Sequence, residues 1–244
     1  MIKGAIFDLG DTLVTQEPLY GGPACYEGAT AIRPFVLEHC LWAPSNEQIA
    51  ETVGSRLQAA VVQSYESDFA QPDAEAAFVA ALQELECELP RVAVPRALDA
   101  FFWAHYSSVQ LLGEVLPTLT LAKGLGLKLG LVANVLWGSE LLMRRLRELG
   151  IDRLMSAFVF SCDIGWMKPY PAAYLEVLRR LGVRAAEAVM IGDDPFADVQ
   201  GAQRAGIAAV WKRDRPGRRP PNGVKPQVVI DDIRQLLPAV AELI

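Results

Sequence analysis

The chain has 244 residues, 52% of them hydrophobic and 21% charged, with a net charge of −6. That length suits one large domain or a core carrying an inserted module, and the composition is that of a soluble globular protein. The acidic balance argues against non-specific nucleic-acid binding, which rests on basic charge meeting phosphates.

Ala5–Phe7 reads as a short buried strand. It runs into FDLGDTLV, Phe7 to Val14, which sets carboxylates at Asp8 and Asp11 on either side of Gly10. From about residue 17 to 110 the pattern is helical throughout. Ser45 with Gln48 has the spacing of a capping box, and Ile49, Val53, Leu57 and Val61 form one helical stripe behind it. Phe78, Ala81, Leu82 and Leu85 mark a second helix, and Pro95 opens a third through Phe101, Phe102 and Trp103. The module's aromatic residues Tyr26, Trp42, Phe101, Phe102, Trp103 and Tyr106 are expected in its core rather than against a ligand.

From Leu111 onward short apolar runs alternate with amphipathic helices. GLGLKLG, Gly124 to Gly130, imitates a dinucleotide-binding turn, but its glycines precede a strand, so a helix exit is expected there. Strands follow at Leu129–Val132, Phe158–Phe160, Val189–Ile191, Ala208–Trp211 and Val228–Ile230, with a last helix from about Asp232. Between them Leu142, Leu146 and Leu149 precede a stop at Gly150, and Tyr174, Leu178 and Leu181 precede one at Gly182. WKRDRPGRRPP, from Trp211, reads as a solvated loop. Such alternation implies an α/β fold: a Rossmann-like parallel sheet flanked by helices, with an inserted all-α cap domain. The expected core comprises residues 1–16 and 111–244, and the cap residues 17–110.

Cys25, Cys40, Cys87 and Cys162 are widely spaced, and His39 and His105 are the only histidines. Zinc ligation is therefore not expected, and reduced thiols in a cytoplasmic protein are. Asp8 interrupts the first apolar run, against a signal peptide, and no run approaches the roughly 20 apolar residues of a membrane span.

Ligands of open parallel sheets bind beyond the carboxyl ends of the strands. There the sequence sets Asp8, then Ala133-Asn134, then Gly192-Asp193-Asp194 with Asp198 behind, and Lys168 in WMKPYPAAY at the start of a helix. Several carboxylates around one lysine call for a cation, and an all-oxygen set suits Mg²⁺ and a phosphate. In order and placement, FDLGDTLV, LGLVAN, KPYPAAY and IGDDPFADVQGAQRAG resemble the motifs of the haloacid dehalogenase-like hydrolases, and the helical insertion lies where that family carries its first type of cap.

The resemblance implies a Mg²⁺-dependent phosphatase acting on a small phosphorylated substrate. Asp8 would be the nucleophile and form an aspartyl-phosphate. The Asp8 carboxylate, the Gly10 carbonyl and Asp193 would hold the metal, with Asp198 on a metal-bound water. Lys168 would balance charge on the transferring group, and the Asn134 N–H would contact a phosphate oxygen. The chain departs from the family twice. Gly10 stands where family phosphatases carry the Asp that protonates the leaving group, help typically worth about 10²–10⁴-fold. Asp11, one residue on, is the candidate replacement. Ala133 replaces a Ser or Thr whose hydroxyl bond to phosphate is worth about 1.5–3 kcal/mol. A slow enzyme biased toward aryl or acyl phosphates is expected. Two other readings stand beside it: a non-catalytic protein binding Mg²⁺ and a phosphorylated ligand, and a haloacid dehalogenase, whose substrate carboxylate Asp193, Asp194 and Asp198 would repel.

Overall fold

A computed structural model describes residues 1–15, 20–40, 42, 44–213 and 219–241. The expected junction between residues 16 and 17, and residues 214–218 of the basic proline loop, lie outside the described residues.

In chain order, β1 (Gly4–Phe7) and β2 (Val14–Thr15) precede four helices, α1 (Pro23–His39), α2 (Asn46–Glu66), α3 (Ala74–Glu84) and α4 (Val94–Ser108). Then come β3 (Gln110–Leu111), α5 (Val115–Gly124), β4 (Lys128–Ala133), α6 (Ser139–Glu148), β5 (Ala157–Phe160), the single turn α7 (Ser161–Ile164) and α8 (Pro171–Leu181). Last are β6 (Ala188–Gly192), a π-type turn at Pro195–Gln200 running into α9 (Gly201–Arg204), β7 (Ala208–Lys212), β8 (Val228–Ile230) and α10 (Leu236–Ala241). The chain divides into two compact units: Met1–Thr15, Gln110–Asn134 and Leu146–Ile244 form one, Gln16–Val109 and Val135–Arg145 the other.

The first unit is built on a six-stranded parallel sheet in the order β5-β4-β1-β6-β7-β8. Every residue of β1 and β6 is buried, as strands covered on both faces require, which is why they read as unbroken apolar runs. Tyr174, Val177 and Leu181 of α8 pack with Ile6, Val132 and Met190 of the sheet. Gly130 permits this close seat, since an added β-carbon would lie 2.8 Å from Val177. Gly182 ends α8 in the left-handed region at φ 63. A short antiparallel pair, β2 with β3, was not foreseen: two residues per strand are too few to show a period. No helix among the described residues is long and apolar enough to cross a membrane.

The second unit is helical. Ser45 and Gln48 make the reciprocal capping box, at 3.2 and 2.8 Å, that starts α2. Asp73 caps α3 through Ala76 N–H at 2.9 Å. Phe78, Phe101 and Phe102 form the aromatic centre, and Gly28 lets α1 approach α4 where a β-carbon would meet the Phe101 ring at 2.8 Å. Of the aromatics expected in this core, Tyr106 joins Phe101 and Phe102, whereas Tyr26 and Trp42 are exposed and Trp103 lies under the Arg144 guanidinium at 4.2 Å. Residues 135–145 join this unit through Gln71 Nε2 to Val135 O at 3.0 Å and Trp137 Nε1 to Asp99 Oδ1 at 2.8 Å.

The expectation of reduced thiols is corrected here. Cys40 and Cys87 form a disulfide across an isolated antiparallel bridge, with Cα atoms 4.7 Å apart and a sequence separation of 47. Spacing along the chain carries no information about this pairing, because the helices between them bring the ends together. Cys25 and Cys162 form no disulfide among the described residues.

His105 of α4 is buried and its Nδ1 has no hydrogen-bond partner among the described residues. Burial pushes its pKa down to about 4, so the folded protein holds the neutral ring. The unfolded chain takes up a proton near pH 6.5 that the folded one refuses, so this contribution to stability is complete above that pH and is lost as pH falls toward 4. The whole loss amounts to about 3 kcal/mol. Urea unfolding at pH 7 and pH 4 is expected to show that much less acid sensitivity in His105→Leu than in the wild type.

Candidate active site

β4, β1 and β6 are neighbours, and β1 lies where the strand order reverses, so their carboxyl ends bring Asn134, Asp8 and Asp193 to one crevice. Asp8 continues the ladder, its N–H donating to Ile191 O at 2.9 Å. The chain then turns tightly: Leu9 O accepts from Leu13 and Val14 N–H, and Asp11 N–H donates to Val14 O at 2.7 Å. The carbonyl of Gly10, between them, accepts no hydrogen bond among the described residues. Asp11 is left-handed at φ 52, a conformation that costs a residue with a β-carbon about 1–2 kcal/mol.

Oxygens of Asp8, Asp193 and Asp198 lie within 4.8 Å of one another, and all three residues are largely buried. Asp11 is not part of that group. Lys168 Nζ donates to Asp8 Oδ1 at 2.5 Å and to Asp198 Oδ1 at 2.7 Å. Burial alone would push the Lys168 ammonium down, but Asp198 and Asp8 together outweigh it and hold its pKa well above the ordinary range. Burial drives the Asp198 carboxyl up to about 7, against the pull of the lysine. One ammonium cannot balance three carboxyl groups, and hard oxygen donors with that acidic excess fit a divalent cation such as Mg²⁺.

Lys168 lies between α7 and α8, three residues before the helix it was expected to start. Its backbone is clamped by the Asn134 side chain, whose Oδ1 accepts from Lys168 N–H at 2.7 Å and whose Nδ2 donates to Lys168 O at 3.2 Å. The sequence pointed only to the Asn134 main chain. Of the paired acids after β6, Asp194 caps the following turn through Phe196 and Ala197 N–H at 2.8 and 3.0 Å. Asp193 faces the crevice: Thr12 Oγ1 donates to its carboxylate at 3.4 Å and Trp211 Nε1 to its carbonyl at 2.9 Å.

Tyr174, read from sequence as a core residue, also donates its hydroxyl to Ala197 O. A β-carbon at Gly201 would collide with that hydroxyl, and one at Gly192 would collide with the Asp198 side chain. The small residues of GDDPFADVQGAQRAG therefore serve close approach. Thr12, Trp211 and Tyr174 carried no signal in a single sequence, since each looks like an ordinary core residue.

A family model of haloacid dehalogenase-like hydrolases matches residues 2–206, and the chain belongs to that family. The glyceraldehyde 3-phosphate phosphatase of Methanopyrus kandleri is 31% identical over 100% of this chain and 99% of its own length. The phosphoserine phosphatase of Thermus thermophilus is 31% identical over 92% of this chain and 82% of its own. Among solved structures, a 2-haloacid dehalogenase from Pseudomonas syringae pv. Tomato matches with a TM-score of 0.72 and 27% identity, covering 100% of both chains.

Gly192→Ala is expected to push the Asp198 carboxylate off Lys168 and to destabilise the protein by about 1–3 kcal/mol, read from urea unfolding.

Proposed function

We propose that this chain is a Mg²⁺-dependent phosphatase that cleaves a small phosphorylated metabolite through an aspartyl-phosphate on Asp8. The observation that carries the reading is the buried group of three mutually close carboxylates, two of them, Asp8 and Asp198, bridged by Lys168. Full-length likeness to phosphatases of small phosphorylated compounds supports the substrate class. In this reading the helical unit is the cap domain that selects the substrate.

Asp8, Asp193 and the Gly10 carbonyl would hold Mg²⁺, with Asp198 on a water of that ion. Mg²⁺ supplies charge neutralisation, which lets an anionic nucleophile approach an anionic phosphate. Lys168 orients Asp8 and carries positive charge toward the phosphoryl oxygens. The Asn134 side chain holds that lysine, and its main-chain N–H is the phosphate donor. Asp8 attacks phosphorus, the leaving oxygen departs, and water then cleaves the acyl phosphate.

Gly10 offers no proton to the leaving oxygen. Asp11 is the candidate acid, and without it substrates whose leaving groups depart as stable anions are favoured. The dehalogenase likeness does not outweigh the charges, because a substrate carboxylate would meet Asp8, Asp193 and Asp198 together.

Hydrolysis of para-nitrophenyl phosphate and acetyl phosphate tests the reading. Asp8→Asn and EDTA are each expected to reduce turnover to background; Mg²⁺-independent turnover, or turnover that survives Asp8→Asn, would sink it. Turnover of an alkyl phosphate is expected to lag that of acetyl phosphate by about 10²-fold or more, the scale of missing general acid help. If Asp11 serves as the acid, Asp11→Asn lowers kcat on the aryl ester and spares acetyl phosphate.

A further inference from the structure

Lys212 closes β7 and is 7% exposed. Buried ammonium groups ordinarily sit against carboxylates. Here Nζ donates to the backbone oxygen of Asp11 at 2.7 Å, its only hydrogen bond among the described residues, and the Asp232 carboxyl lies within range of its charge. Asp11 is therefore held at both ends, by its own N–H on Val14 O and by Lys212 on its carbonyl. Between the two holds the residue is left-handed. The Asp11 N–H and the Gly10 carbonyl belong to one planar peptide, so the rotation at Asp11 sets the direction of the Gly10 oxygen.

We propose that Lys212 is a positioning residue for the cation site: by holding the Asp11 carbonyl it keeps the turn left-handed and keeps the Gly10 carbonyl aimed as a metal ligand. This rests on the phosphatase reading above. The adjacent residue makes the same kind of contact, since Trp211 fixes the carbonyl of Asp193. The last two residues of β7 thus hold the main chain of both acidic turns.

The sign of the effect separates positioning from charge. Removing a positive charge near a cation site strengthens cation binding by Coulomb's law. Loss of a group that orients a ligand weakens it, typically by about 10–100-fold. Calorimetric titration of Mg²⁺ into the wild type, Lys212→Met, Asp11→Gly and the double variant decides between them. Lys212→Met is expected to bind about tenfold more weakly, with the far-UV spectrum unchanged. Glycine adopts positive φ without a hold, so in the Asp11→Gly background, where the loss of the Asp11 charge is common to both proteins, adding Lys212→Met is expected to change affinity by less than about threefold. Unchanged or tighter binding by folded Lys212→Met overturns the proposal, as does a loss that persists in the Asp11→Gly background. A wild type that binds no Mg²⁺ overturns the metal reading itself, which is a separate outcome. Should Lys212→Met not fold, Lys212→Gln is titrated in its place: weaker binding that disappears in the Asp11→Gly background supports the proposal, and unchanged or tighter binding overturns it.

Discussion

The lysine at the centre of the crevice is the interaction on which the rest depends. Lys168 is buried and its ammonium touches two carboxylates that are themselves buried. Each of these charges is expensive away from water, and none is tolerable without the others. Removing one partner of such a pair typically costs about 3–5 kcal/mol, because the survivor stays buried and unpaired. The fold must therefore deliver Asp8, Lys168 and Asp198 together, from positions 160 and 30 residues apart, or suffer all of the desolvation.

Delivery is a property of the sheet order. Because β1 sits between β4 and β6, the ends of three strands distant in sequence become neighbours. The side chains beyond those ends are then set by short local contacts rather than by the sheet. Asn134 grips the backbone of Lys168, Asp194 caps the turn that carries Asp198, and the bare Cα atoms of Gly192 and Gly201 let Asp198 and Tyr174 close in. A hydrogen-bonded shell of this kind narrows the freedom of the charged groups it surrounds.

What could be read in advance follows from the same division. The strands of the sheet were legible because burial on both faces leaves an apolar run ending where polar residues begin, as at Phe7–Asp8 and Gly192–Asp193. The capping box at Ser45 was legible because it is local. β2 and β3 were not, because two-residue strands have no period, and α1 (Pro23–His39) was not marked out, its apolar positions being interrupted by Gly28 and Pro34. The Cys40–Cys87 bond is a fact of tertiary structure alone. Within the site, the clustered acids Asp8, Asp193 and Asp198 were legible as charges at or just beyond strand ends. Those that steady them, Thr12, Trp211, Tyr174 and the Asn134 side chain, look like core or cap residues until the fold shows what they face.

In the proposed reading, Gly10 would supply one part of such a site and lack another. A metal ligand taken from the main chain is indifferent to the side chain, so in the proposed phosphatase reading Gly10 would still offer its oxygen and would lack only the proton. The left-handed residue of this turn is Asp11, at a cost of about 1–2 kcal/mol that glycine would not incur. A charge-assisted bond such as the one Lys212 makes to the Asp11 carbonyl is worth about 1.5–3 kcal/mol, enough to cover that cost. The strained turn and the buried lysine are thus one arrangement. Either alone would be a liability, and together they keep the acidic turn in a shape its own sequence disfavours.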